Sequence, residues 1–209
     1  MSLNPPIRDW HGKRVWIIGA STGIGAALAQ RLARAGARLA LSARSHDKLA
    51  ALASAYATIV AKWGGADVTL FNAGTYSPMS AAAFDLAHMN EHFAVNYHGV
   101  TNGLAAILPD YLERAASHPC IAIVSSVAGL RGLPLALAYG PSKAALINLA
   151  ETLYLDLAPK GIAVTVINPG FAAGEFEMHF PKRFTRWLHT LRLLPYTAYF
   201  ALIGKAVKP

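Results

Sequence analysis

Two patterns of apolar residues alternate along the chain. Continuous apolar runs occur in KRVWIIGA (13–20), ARLALSAR (37–44), DVTLFNAG (67–74), CIAIVSSVAG (120–129) and GIAVTVINPG (161–170). They read as strands buried on both faces, which need no polar alternation. Helical spacing fills the intervals. It appears in 24–35, where Leu28, Leu32 and Ala35 recur, and in 45–57 with Ser45 as N-cap, then in 88–115 and 141–158. Strand followed by helix, repeated, predicts an α/β fold: a doubly wound parallel sheet of Rossmann type with helices on both faces. Ligands of such sheets bind beyond the carboxyl ends of the strands. No repeat or linker divides the chain, so residues 1–209 are read as one dinucleotide-binding catalytic domain, with 174–209 a basic, aromatic C-terminal segment.

Composition narrows the classes. With 54% hydrophobic and 14% charged residues the chain is not disordered. The formal charge of +8 invites an anionic partner, but it is concentrated at one end: beyond Glu177 there is no acid, whereas Lys182, Arg183, Arg186, Arg192, Lys205 and Lys208 follow. No basic run accompanies a groove-reading motif, so no nucleic-acid partner is expected. Arg186, His189, Arg192 and Pro195 interrupt the tail against a conventional membrane span. Trp187, Leu188, Leu191 and Leu194 allow peripheral contact with an anionic membrane, although packing of this segment on the domain or a partner subunit is the preferred reading. The N-terminus has no apolar signal region, and the lone Cys120 reads as a core residue in a reducing compartment; the expectation is a cytoplasmic protein.

The stretch GASTGIG places Gly19, Gly23 and Gly25 at the first strand-to-helix junction. There the helix N-terminus offers N–H groups and a positive dipole end to a diphosphate, which makes Gly19, Ser21, Thr22, Gly23, Ile24 and Gly25 candidate cofactor contacts. The second strand ends Ser42-Ala43-Arg44 with no acid. A ribose 2′-hydroxyl calls for an acid at this place and a 2′-phosphate for a cation. Arg44 therefore selects NADP(H) over NAD(H), unless it is simply an exposed surface cation.

In YGPSK, Tyr139 and Lys143 stand four apart at the start of a helix and share a face. Ser126 ends a buried strand 13 positions upstream, and Asn96 lies earlier within a helix. Taken singly, Ser126 would cap a strand end, Asn96 would satisfy a helix carbonyl and Tyr139 would be a half-buried aromatic. The ordered set of GASTGIG, NAG at Asn72-Ala73-Gly74, Asn96, Ser126, Tyr139, Lys143 and NPG resembles the short-chain dehydrogenase/reductase family over residues 13 to 171.

The resemblance implies an NADP(H)-dependent oxidoreductase interconverting a secondary alcohol and a ketone or aldehyde. Tyr139 would exchange a proton with the substrate oxygen and Ser126 would hydrogen-bond that oxygen. Lys143 would hold the nicotinamide ribose, and Asn96 would anchor a water leading to solvent. The NAG turn would lie beside the adenine ribose, with Pro169, Gly170 and Phe171 beside the nicotinamide. A free phenol is only about 0.1% ionised at pH 7. An ammonium at about 4 Å would lower its pKa by up to about 3 units. The small-molecule partner is a carbonyl or alcohol, hydrophobic by the apolar LRGLPLALA segment before Tyr139. The family implies a homodimer or homotetramer. The alternative reading is a non-catalytic dinucleotide sensor or peripheral-membrane scaffold on the same fold.

Two spacings depart from the family. Gly25 and Asn72 are 47 positions apart, short by about 20 to 25 residues, one strand–helix unit. The sheet is therefore expected to lack its third, edge strand. AYATIVAKWGG (55–65) reads as a junction, with one helix ending near Ala57 and TIVAKWGG the end of another. A second shortfall follows Phe171, where Ala172-Ala173-Gly174-Glu175 replaces a Thr and a longer covering loop. Both are read as segments outside this 209-residue sequence rather than true deletions.

Overall fold

Five strands form at the predicted runs, because each carries the β-branched and large apolar residues that a two-sided parallel sheet buries. They are β1 (Arg14–Ile18), β2 (Arg38–Ser42), β3 (Val68–Phe71), β4 (Cys120–Val124) and β5 (Ala163–Ile167), all parallel, in the order β2-β1-β3-β4-β5. The computed structural model describes residue 4, residues 6–42 and residues 48–170. Arg44, Ser45 and Phe171, together with the C-terminal segment, lie outside the described residues.

Alternation along β1 sets the two layers. Val15 and Ile17 face α1 (Gly23–Arg34) through Ala29 and Leu32. Trp16 and Ile18 face the opposite layer, where α2 (Lys48–Trp63), α4 (Gly99–Glu113) and α5 (Tyr139–Leu157) pack. Between α2 and α4 the chain forms β3 and α3 (Leu86–Phe93). The chain goes from β1 to β2 in one direction and from β3 to β4 in the other. The order thus reverses between β1 and β3, and a crevice opens at their carboxyl ends.

The sheet ends at β2 among the described residues, as the missing edge strand requires. The expected junction near Ala57 is corrected: α2 is one unbroken helix from Lys48 to Trp63. Leu52, Tyr56 and Ile59 are buried along a single stripe, and Trp63 packs against the same cluster. A helix broken at Ala57 would lose that stripe. The Tyr56 ring stacks on Trp16 at 5.5 Å, and its hydroxyl donates to Asp110 on α4. Asp110 also takes Arg114, which reaches back to the Ala66 carbonyl at 2.9 Å. This network fastens α2 and the approach to β3 against α4.

Cys120 is partly buried at the start of β4, and burial pushes its thiol up to about 11 against a hydrogen bond from Thr165, in keeping with an unreactive residue.

Candidate active site

The glycine turn is shaped by close backbone approach. Gly19 has φ +92°, and a Cβ there would lie 2.4 Å from the Ala73 nitrogen. A Cβ on Gly25 would lie 2.1 Å from the Gly19 carbonyl oxygen. That carbonyl accepts from Asn72 Nδ2 at 2.7 Å, and the Gly19 N–H donates to the Ser42 carbonyl at 2.7 Å. The ends of β1, β2 and β3 are thus stitched together. Thr22 caps α1 by backbone conformation without a side-chain bond, and the first turn carries no acid.

The helical stretch predicted for 88–115 contains a turn of π-helix at Ala94–His98 that carries Asn96. Such turns are frequent at functional sites. Asn96 is fully buried. Its Oδ1 accepts from the Thr75 N–H at 2.8 Å, while its Nδ2 donates to the Thr75 carbonyl at 3.1 Å and the Ser142 hydroxyl at 3.0 Å. The side chain therefore clamps the segment after β3. It also borders Lys143: a Cβ on Gly74 would lie 3.3 Å from both Asn96 Oδ1 and Lys143 Nζ.

Ser126 follows β4 and lines the same cleft as Tyr139, which opens α5. Ser126 Oγ also accepts from the Ala128 N–H at 3.2 Å. One turn along α5, Lys143 is 3% exposed; its Nζ donates to the Val124 carbonyl at 3.0 Å and sits 5.7 Å from the Tyr139 ring centre. Ser125 Oγ holds the Lys143 carbonyl at 2.7 Å, fixing α5 against β4. Ser126, Tyr139 and Lys143 thus converge.

The electrostatics differ from the sequence-based expectation. Burial pushes the Tyr139 phenol above its ordinary value of 10; the hydrogen bond with Ser126 opposes this and Tyr76 adds to it. Burial pulls the Lys143 ammonium down from 10.5 to about 8. Burial prevails at the phenol; Lys143 Nζ lies on the Val124 carbonyl, 5.7 Å from the ring centre. At pH 7 a group with that pKa is still about 90% charged.

A cleft of about 1250 Å³ joins these parts. Ser21, Thr22, Gly23 and Ile24 line it at the α1 N-terminus, Asn72, Ala73 and Gly74 in the middle, and Ser126, Tyr139, Lys143, Pro169 and Gly170 at the far end. Leu41, Ser42, Ala51 and Leu52 line it beside β2, so α2 borders the cleft directly. Its volume exceeds the range of about 300–1,000 Å³ usual for drug-sized ligands. The uncapped, acid-free start of α1 and the crowded glycine turn fit a dinucleotide's diphosphate. Among the described residues no group of three or more His, Cys, Asp or Glu could hold a metal, and no helix is long and apolar enough to cross a membrane.

The family model described as short chain dehydrogenase matches residues 13–57 and 50–183. The chain belongs to the short-chain dehydrogenase family. The two matched stretches overlap within α2, at the place of the length deficit. An uncharacterized oxidoreductase of Myxococcus xanthus is 33% identical over 199 residues, covering 83% of this chain and 78% of the relative. A glucose 1-dehydrogenase of Gluconobacter oxydans is 31% identical over 191 residues, covering 79% and 71%. Among solved structures, the 3-ketoacyl-(acyl-carrier-protein) reductase of Brucella melitensis complexed with NADH superposes with a TM-score of 0.71 at 26% identity, covering 77% of this chain and 76% of that one. The structure of ElxO with NADP bound shares the fold, with a TM-score of 0.71 at 23% identity, covering 77% and 74%. The protein is an oxidoreductase.

Sequence reasoning missed two residues at this dehydrogenase's site, Ser142 beneath the cleft and Tyr76 in its wall. Ser142 sits inside YGPSK and ties Asn96 to the Tyr139 carbonyl, accepting from Nδ2 and donating at 2.7 Å. Its place within the motif was the available signal. Tyr76 packs edge-to-face on Tyr139 with ring centres 5.0 Å apart, and nothing in the linear sequence marks it.

Proposed function

We propose that this chain interconverts a secondary alcohol and a ketone or aldehyde with NADP(H), using Tyr139, Ser126, Lys143 and Asn96. The reading is carried by one observation: Ser126, Tyr139 and Lys143 line one end of the cleft that begins at the glycine turn, with Lys143 Nζ 5.7 Å from the Tyr139 ring centre. When bound, the nicotinamide supplies hydride for the carbonyl carbon or accepts it from the alcohol carbon. In reduction, Tyr139 gives its phenolic proton to the substrate oxygen as the C=O π bond breaks. Ser126 donates a hydrogen bond to the same oxygen and stabilises its developing charge. Lys143, charged and desolvated, stabilises the resulting phenolate and holds the ribose hydroxyls. Asn96 keeps the Thr75 segment and the π-helical turn in register beside Lys143.

A phenol held above 10 is protonated at neutral pH, which favours the direction of carbonyl reduction. Arg44 supports NADP(H) by its place after β2 in the sequence, and Leu41 and Ser42, which line the cleft beside β2, include no acid. The ElxO structure with NADP bound shows that this fold accommodates that cofactor in a relative of similar architecture. The site's apolar surroundings support a hydrophobic small-molecule substrate, and a cytoplasmic homo-oligomer is the accompanying proposal.

NADPH oxidation across a panel of aldehydes and ketones, run beside NADH, tests the reading. Tyr139→Phe should lower kcat/KM by about 10²–10⁴-fold while NADPH binding persists. Absence of turnover across the panel with binding retained would instead support a dinucleotide sensor.

A further inference from the structure

We infer that Tyr76 determines which carbonyl compounds this site accepts, its ring forming a wall beside Tyr139 that favours a flat, uncharged aryl group on the reacting carbon. The inference rests on the oxidoreductase reading above and adds a substrate class to it.

Tyr76 is 47% exposed, yet it lines the cleft and packs against Tyr139 at 5.0 Å with the ring planes 67° apart. A tyrosine on an unrestrained loop would swing away from such a contact. Here the backbone is held on both sides of the ring. Before it, Thr75 is gripped through its N–H and its carbonyl by Asn96. After it, the Ser77 N–H donates to His92 Nε2 at 3.1 Å. That bond leaves the other ring nitrogen, Nδ1, to donate its hydrogen to the His88 carbonyl at 2.9 Å. Asn96 and His92 are 0% and 1% exposed, and each is satisfied by these backbone contacts. Further on, Met79 bridges to the segment before Tyr139: its N–H donates to the Leu135 carbonyl at 2.9 Å and its carbonyl accepts from Leu137 at 3.3 Å. Buried polar side chains spent on positioning one short segment make a rigid support of the kind a binding wall needs.

The chemistry of the wall follows from what it carries. Residues 72–79 and 132–138 include no charged side chain, so an ionised substituent would find no partner in either segment. An aromatic ring fixed beside the proton donor, half uncovered, rewards a second aromatic ring in offset or edge-to-face contact more than a saturated ring of equal size.

Acetophenone and cyclohexyl methyl ketone are matched in size; since conjugation also lowers the reactivity of acetophenone's carbonyl, the readout is how their rate ratio changes between variants. Initial rates with NADPH are compared for the wild type, Tyr76→Phe and Tyr76→Leu. Tyr76→Phe should keep the wild-type ratio of kcat/KM, acetophenone over cyclohexyl methyl ketone, because the ring remains. Tyr76→Leu should lower the ratio by about tenfold, the loss expected for one aromatic contact. NADPH binding to the Leu variant, followed by fluorescence, confirms an intact site. A ratio unchanged in Tyr76→Leu overturns the inference and leaves the oxidoreductase reading standing. No turnover of any carbonyl by the wild type overturns both.

Discussion

Lys143→Met should stabilise the folded protein while abolishing its activity. Lys143 is 3% exposed, and its pKa is lowered from 10.5 to about 8 by burial. Between those two values the unfolded chain binds a proton that the folded chain does not, so stability rises with pH across that window and sits at its lower level below pH 8. The full difference, 2.5 pH units, is about 3 kcal/mol. Methionine removes this cost and also the hydrogen bond to the Val124 carbonyl, worth about 1 kcal/mol. At pH 7 the variant should therefore be more stable by about 2 kcal/mol, a rise in Tm of about 4 to 8 °C for a domain of this size. From pH 7.5 to 9.5 the advantage should shrink by about 2 kcal/mol, because the wild type gains what the variant never lacked. Urea denaturation at several pH values without cofactor measures both. Staying below pH 10 keeps Tyr139, whose value is raised, from titrating. A variant less stable than wild type at pH 7.5, or a difference that stays flat with pH, would refute the reasoning.

Gly19→Ala places a methyl group 2.4 Å from the Ala73 nitrogen at φ +92°. It should cost about 1–3 kcal/mol, read as a lower Tm together with weakened NADPH binding by fluorescence titration. Tyr56→Phe removes the bond to Asp110 that fastens α2 and should lower the unfolding free energy by about 1 kcal/mol, read as a lower urea midpoint at unchanged slope. In Asp67 and Asp110, burial works to raise the carboxyls, but hydrogen bonds from Arg14 and Arg114 outweigh it and hold both below 3.8. Their stabilisation is present above that pH and lost as pH falls through the lowered values; the Asp67→Asn, Asp110→Asn double variant should show a shallower acid transition by circular dichroism.

Much of the fold was legible because its signals are local. An apolar run bounded by glycine forms a buried strand wherever it lies, and GASTGIG and NAG place their residues at strand ends, and YGPSK at a helix start, without knowledge of neighbours. The missing edge strand was legible too, as a distance along the chain. The continuity of α2 was not. Residues 55–65 join what the family spacing assigns to two helices, and only the shared burial of Leu52, Tyr56 and Ile59 against the sheet makes them one.

At the site, the linear sequence settled which groups are present: Ser126 after a strand, Tyr139 and Lys143 at the start of a helix, and Asn96 in a helix before them. Their order along the chain, and the four-residue spacing of Tyr139 and Lys143, are properties that folding leaves unchanged. Tertiary structure alone decided their electrostatic state and their neighbours. Lys143 was expected to lower the phenol, but its ammonium lies under the ring on a carbonyl, and desolvation raises Tyr139 instead. Tyr76, His92 and Ser142 entered the site because the loop after β3 meets α3 and α5 there. Burial and through-space contact depend on every packed neighbour at once, whereas motif spacing depends on the chain alone.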